Sequence, residues 1–193
     1  MRIHKLILAV SFCFLASQSK GQSEQTAKSR KFAVYAGAGP SYFFNNLQIV
    51  KDDVNSFQYA FSARFMWESP HSLLSLGIET GYYRLYTVNS AKPRGKVSNS
   101  SVPILFDVTM RFSDKFYATW GMGQSITFNN VSGTDSAYNF NASTWSLSDF
   151  EATLGYKFVQ KERISYAVEL KGFYSSGYQN TTIALLFIVG FKL

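Results

Sequence analysis

The chain is poor in the residues that most soluble chemistry needs. Its 193 residues include one cysteine, Cys13, and two histidines, His4 and His71. A single cysteine excludes an internal disulfide framework. Charged residues make up 16%, against the roughly 25% usual for soluble domains. Beyond residue 22 no stretch approaches the roughly 20 consecutive apolar residues of a spanning helix, which excludes a helical membrane protein. What is abundant is aromatic, at 17%, and this excludes a disordered chain. Composition does not shift along the sequence, so one domain is expected.

Residues 1–22 read as an export signal that is removed. Arg2 and Lys5 precede an apolar run over 6–16, and small residues follow at Ser17, Ser19 and Gly21. Cleavage after Gly21 starts the mature chain at Gln22, without Cys13 and therefore without any thiol. Losing Arg2, Lys5 and Lys20 takes the formal charge from +7 to +4, too mild a balance to indicate nucleic acid. A short polar segment follows over 23–31.

From residue 32 to 193 apolar side chains recur at every second position in eight segments, the period of a strand with two unlike faces. Phe57, Tyr59, Phe61, Ala63, Phe65 and Trp67 share one parity, and Gln58, Ala60, Ser62, Arg64, Met66 and Glu68 the other. Val102, Ile104, Phe106, Val108, Met110 and Phe112 oppose Ser101, Pro103, Leu105, Asp107, Thr109 and Arg111 in the same way. Connections after the second, fourth and sixth segments are short, whereas those over 44–55, 89–96, 129–143 and 176–180 are longer and rich in Asn, Ser, Gly and Asp. Antiparallel strands with tight turns at one end and long polar loops at the other predict an all-β, eight-stranded antiparallel up-and-down transmembrane β-barrel.

A soluble lipocalin-like binder of an apolar ligand would show the same period turned inside out. Volume favours the membrane form: an eight-stranded interior is only just wide enough to be filled by side chains, and the apolar parity is too large and too aromatic to fit there. Aromatic placement agrees. Trp67, Phe112, Phe116, Tyr156 and Phe158 fall at the short-turn ends and Tyr42, Tyr59, Tyr82 and Trp145 at the long-loop ends, as two interfacial girdles would.

Ser101-Val102-Pro103-Ile104-Leu105, Leu154-Gly155-Tyr156-Lys157-Phe158 and the terminal Gly190-Phe191-Lys192-Leu193 resemble the small outer-membrane β-barrels of Bacteroidetes-type bacteria, including PorT-like proteins, and more distantly OmpA or OmpX barrels. The resemblance covers 32–193. It implies the outer membrane of a Gram-negative bacterium, contact with outer-membrane lipid, and recognition by the barrel-assembly machinery during insertion through a C-terminal signal. That signal is usually a final aromatic residue; here the chain ends in Leu193, with Phe191 two before it.

The inward parity carries Arg64, Arg111, Lys157, Lys171 and Lys192 against Glu68, Glu79, Asp107, Asp149, Glu151 and Glu169. Near-balance predicts a paired polar network that fills the bore, since unpaired buried charge is costly; a proton or ion path is the alternative use of the same residues. Within it Arg64, Glu79, Asp107, Arg111, Glu151, Glu169 and Lys171 are the expected members. Centring the turn between the last-but-two and last-but-one strands near Lys161 places Glu151 directly opposite Lys171 and pairs Phe158 with Ile164.

No catalytic constellation, cofactor or metal site stands out. His71, the mature chain's single histidine, lies in a tight turn beside Pro70, remote from the outer-leaflet wall where a lipid-modifying barrel enzyme keeps its His and Ser pair. Asp52, Asp53 and Asp135 lack ligand spacing. Asp135-Ser136-Ala137 is similar to a Bacteroidetes O-glycosylation acceptor. The expected function is a non-enzymatic barrel whose rigid wall carries surface loops toward an unidentified partner, in envelope integrity, adhesion or secretion support.

Overall fold

The computed structural model describes residues 31–44, 54–69, 72–91, 94–133, 139–146, 148–161, 163–176 and 180–193. The signal segment, His71, Asp52, Asp53, Asp135 and Ser136 lie outside them.

Ten strands form one sheet: β1 (Lys31–Phe44), β2 (Val54–Asn55), β3 (Phe57–Glu68), β4 (Leu74–Ala91), β5 (Arg94–Arg111), β6 (Phe116–Gly133), β7 (Phe140–Trp145), β8 (Asp149–Gln160), β9 (Ile164–Ser175) and β10 (Asn180–Lys192). β2 is a short outlier that pairs only with β4, and β7 with β8 makes one interrupted stave against β6. Each remaining strand pairs antiparallel with its predecessor, and β10 returns to pair with β1. The result is a closed eight-stranded antiparallel β-barrel, which leaves no sheet edge among its staves.

Closure accommodates two prolines. Pro40 and Pro103 have no N–H to donate, and each sits at a gap in one of its two ladders: β1–β10 skips from Ala38 to Ser41, and β4–β5 skips from Thr80 to Tyr83. At the second gap the Thr80 hydroxyl donates to the Pro103 carbonyl at 2.9 Å, using an acceptor the ladder leaves free.

The apolar parity faces outward on every stave. Phe61, Phe65, Ile78, Phe106, Trp120, Leu154, Leu170 and Phe187 are all exposed, while Arg64, Glu79, Asp107, Glu169 and Lys171 are buried. The interior also holds Tyr35, Phe43, Met66, Tyr83, Tyr117, Phe173, Leu186 and Ile188, large residues on a parity expected to be mostly small. They fit because several face a glycine across the ladder: Tyr117 lies against Gly155, Tyr35 against Gly190, Ile188 against Gly37 and Met66 against Gly77. Large-small alternation of this kind fills a narrow bore without widening it.

Three expectations need correction. The described residues of the connection over 89–96 are strand: β4 and β5 stay paired up to Ala91 opposite Arg94. Likewise β6 runs on to Gly133 and pairs with β7 within the supposed 129–143 loop. Past the apolar band both faces of a strand meet water, so alternation vanishes while the backbone ladder continues. The register of β8 and β9 is also shifted: Thr153, not Glu151, opposes Lys171, Glu151 opposes Phe173, and Leu154 pairs with Leu170. The turn is centred one to two residues later than expected, with Lys161 N–H bonded to the Ile164 carbonyl at 2.8 Å, and an irregularity between Lys157 and Val159 takes up the remaining offset.

Candidate functional site

The interior is layered along the barrel axis. At mid-height β3, β4, β5, β8 and β9 converge their inward residues on one ion cluster. The Arg64 guanidinium is its hub: Nε lies 2.8 Å from Glu79 Oε2 and 3.2 Å from Asp107 Oδ2, while Nη2 lies 3.1 Å from Glu169 Oε2. The planar fork spreads its donors over separate nitrogens, so one cation serves carboxylates from three strands at different points around it. Lys171 takes the other side, paired with Glu79 and, at 2.8 Å, with Glu151. Glu151 and Lys171 therefore meet diagonally rather than head-on, since the lysine stem is long enough to span the two-residue offset.

Hydroxyls complete the shell. Tyr117 donates to Glu169 at 2.6 Å, Ser62 to Glu79 at 2.8 Å and Thr153 to Glu151 at 3.0 Å. Sequence reasoning did not single these out; Tyr35 and Tyr117, isolated aromatics on the inward parity, were the available signal. Arg111 is the member that does not join. It sits at the short-turn end, where its guanidinium donates to the carbonyls of Ser69 and Ser72, because its strand position is two residues beyond Thr109 and out of reach of the cluster.

Two cations thus face four buried carboxylates. Glu79, Asp107 and Glu151 bring oxygens within 4.8 Å of one another, the spacing of a cation site. The Lys171 ammonium, however, bonds both Glu79 and Glu151, and takes the place a metal would need between them. Above the cluster, toward the long-loop end, Tyr83 stacks on Phe173 with centroids 4.9 Å apart and Phe43 packs on Tyr86 at 5.1 Å. The bore is plugged by apolar rings there and by paired ions at its centre, an arrangement suited to holding the wall rigid.

The outward sites lie at the two rims. Phe112, Phe116, Tyr156 and Phe158 are exposed near the short turns, with Phe116 and Tyr156 in contact at 4.8 Å, and Trp67 is partly covered on β3. Tyr42, Tyr59 and Trp145 are exposed toward the other rim, where Tyr59 stacks on the half-buried Tyr82 at 6.1 Å. Phe191 and Leu193 face outward at the end of β10, and the Leu193 N–H bonds to the Phe32 carbonyl of β1 at 2.8 Å.

Tyr117 lies so close over Gly155 that an added Cβ would overlap its ring. Gly155→Val is therefore expected to lower stability in detergent by about 1 to 3 kcal/mol through overpacking. Urea unfolding checks this, and in a Tyr117→Ala background the same change should cost little; an equal cost in both backgrounds would contradict the contact.

No protein-family model matches the chain, and no curated protein matches it in sequence. Solved structures do. The chain is similar to a major outer membrane protein from Thermus thermophilus, with 11% identity and a TM-score of 0.62 over 86% of this chain and 100% of that one. It is also similar to Ail, the attachment invasion locus protein of Yersinia pestis, solved in complex with the heparin analogue sucrose octasulfate, with 8% identity and a TM-score of 0.57 over the same shares. At such identities the likeness speaks for the fold: this chain is built as the small outer-membrane β-barrels are.

Proposed function

We propose that the protein is a non-enzymatic outer-membrane barrel of the Bacteroidetes, PorT-like kind, exported by residues 1–22, whose rigid wall carries the β4–β5 and β6–β7 ladder extensions to the cell exterior. The observation that carries the reading is the inversion of polarity: ion pairs fill the centre and large apolar side chains cover the outside. A water-soluble binder of lipocalin type would have the opposite arrangement, and a continuous apolar belt is far larger than soluble monomers expose. Lipid is the solvent that matches the belt, with the two aromatic rims at its interfaces. Phe191 and Leu193 on the last strand are positioned to be read by the assembly machinery before the strand meets β1. The interior acids Glu79, Glu151 and Glu169 are engaged with Arg64, Lys171 and hydroxyls, which supports a structural rather than a hydrolytic role. The extensions are the surface available to a partner in adhesion, secretion support or envelope integrity.

The test is fractionation together with single-cysteine labelling, which the thiol-free mature chain makes clean. Protein should partition with outer membranes. Lys96→Cys and Ser132→Cys should react with an impermeant maleimide on intact cells, and Asp114→Cys and Lys161→Cys only after lysis. The reverse labelling pattern would invert the topology, and recovery in the soluble periplasmic fraction would refute the membrane reading.

A further inference from the structure

At the short-turn end the interior opens into a polar cavity of about 280 Å³, lined by Arg111, Lys157 and Lys192 together with Ser72, Ser113 and Asp114. All three cations stand on the inward parity of β5, β8 and β10, so they converge from different staves on the mouth of the bore. None of them forms an ion pair with a carboxylate among the described residues. Lys157 is the telling member. It is only 9% exposed, and its ammonium is held between two aromatic faces, 5.6 Å from the Tyr35 ring centre and 5.2 Å from that of Tyr117. The hydroxyls of those rings are turned to Glu68 and Glu169, each of which accepts one of them. A buried cation outside ion-pair distance of any carboxylate is costly even with Glu68 on the same inner lining, and rings recover only part of its lost hydration.

The rest of the lining is rich in donors. The Ser72 hydroxyl oxygen accepts the Leu74 N–H at 3.0 Å, and the Ser113 oxygen accepts the Phe116 N–H at 3.0 Å, which leaves each hydroxyl proton free to donate into the cavity. Arg111 donates through Nη2 to two turn carbonyls and is fixed in place, with its remaining N–H groups unspent among the described residues. Against this set stand two carboxylates, Asp114 in the lining and Glu68 just inside it, so the cations are in excess by one. We infer that the short-turn mouth of the barrel is an anion-binding pocket for a phosphate group, with Lys157 as its buried anchor and Arg111 and Lys192 as its rim. Several convergent cationic and hydroxyl donors match a tetrahedral dianion with many acceptor oxygens. The pocket faces along the barrel axis, so a soluble phosphate or a lipid headgroup folded into the mouth could present that chemistry. That the pocket faces the periplasm rests on the topology proposed above; the binding itself does not.

Inorganic phosphate titrated by calorimetry into the full barrel, held in a maltoside detergent that carries no phosphate, should bind saturably at one site per chain. Lys157→Met and Lys192→Gln should each weaken it at least about tenfold, and Lys115→Gln, an exposed lysine in the adjacent turn, should not. A heat-dependent gel shift verifies that each variant is folded, and Lys192→Gln, at the half-buried rim, keeps the test open if Lys157→Met fails to fold. In nanodiscs of zwitterionic lipid, undiminished phosphate binding assigns the site to a soluble ligand; phosphate binding abolished by added phosphatidic acid assigns it to a headgroup. Absence of saturable binding, or equal binding in wild type and both pocket variants, overturns the inference.

Discussion

Arg64→Met is expected to be among the most damaging single changes in the barrel, lowering unfolding free energy by about 3 to 5 kcal/mol. The reason is topological as much as electrostatic. One guanidinium holds Glu79 from β4, Asp107 from β5 and Glu169 from β9, so its loss leaves four buried carboxylates with Lys171 as their sole cationic partner in the cluster. Uncompensated buried charge accounts for the cost, more than any attraction removed. Arg64→Lys should fall between wild type and Arg64→Met, since a point-like ammonium keeps the charge but cannot reach three acids at once. Tryptophan fluorescence during urea unfolding from lipid vesicles measures this. A loss below about 1 kcal/mol for Arg64→Met, the size of an ordinary substitution, would show that the cluster is not holding the structure.

Lys171→Met should cost a similar amount, about 3 to 5 kcal/mol, because Glu79 and Glu151 then lose the ammonium that lies between them. Here a second substitution should help. In the Lys171→Met background, Glu151→Gln removes one of the two stranded charges and should restore part of the loss, so the double variant loses less than the sum of the two single losses. The pair is diagonal in the ladder, with Glu151 facing Phe173, so the coupling reflects reach across the bore and not nearest-neighbour pairing. Additive losses in the double variant would mean that the two side chains do not share a site.

The barrel is legible in the sequence because its requirement is binary. Every second residue between Phe57 and Trp67, or between Val102 and Phe112, meets a different solvent from its neighbours, and the residue types record that directly. Identity of the charged interior follows from parity alone. What parity cannot carry is register, which depends on where a turn places its first hydrogen bond and on irregularities such as that between Lys157 and Val159; a shift of two keeps every side chain on its face and leaves no trace in the pattern. Arg111 stands outside the expected network for a related reason: facing inward fixes direction but not height, and height decides which inward charges touch. The ladder extensions beyond Val88 and Asn129 look like loops in the sequence because polar residues on both faces have no period to find.

Every stave except one pair is joined to its neighbour by a local hairpin. The exception is β1 with β10, which brings together the two ends of the described chain. That junction carries no member of the central ion cluster: its inward residues include Gly37, Gly39, Ser41, Leu186 and Ile188. Yet Arg64 on β3 and Glu169 on β9 stand on either side of it and clasp each other across the bore, as do Glu79 and Lys171. An open sheet of hairpins could form all its local ladders and still leave these ions unmatched, whereas zipping β1 to β10 satisfies them in the same step. Closure and neutralisation of the core are in that sense one event, which makes half-open barrels poor in free energy and disassembly all-or-none.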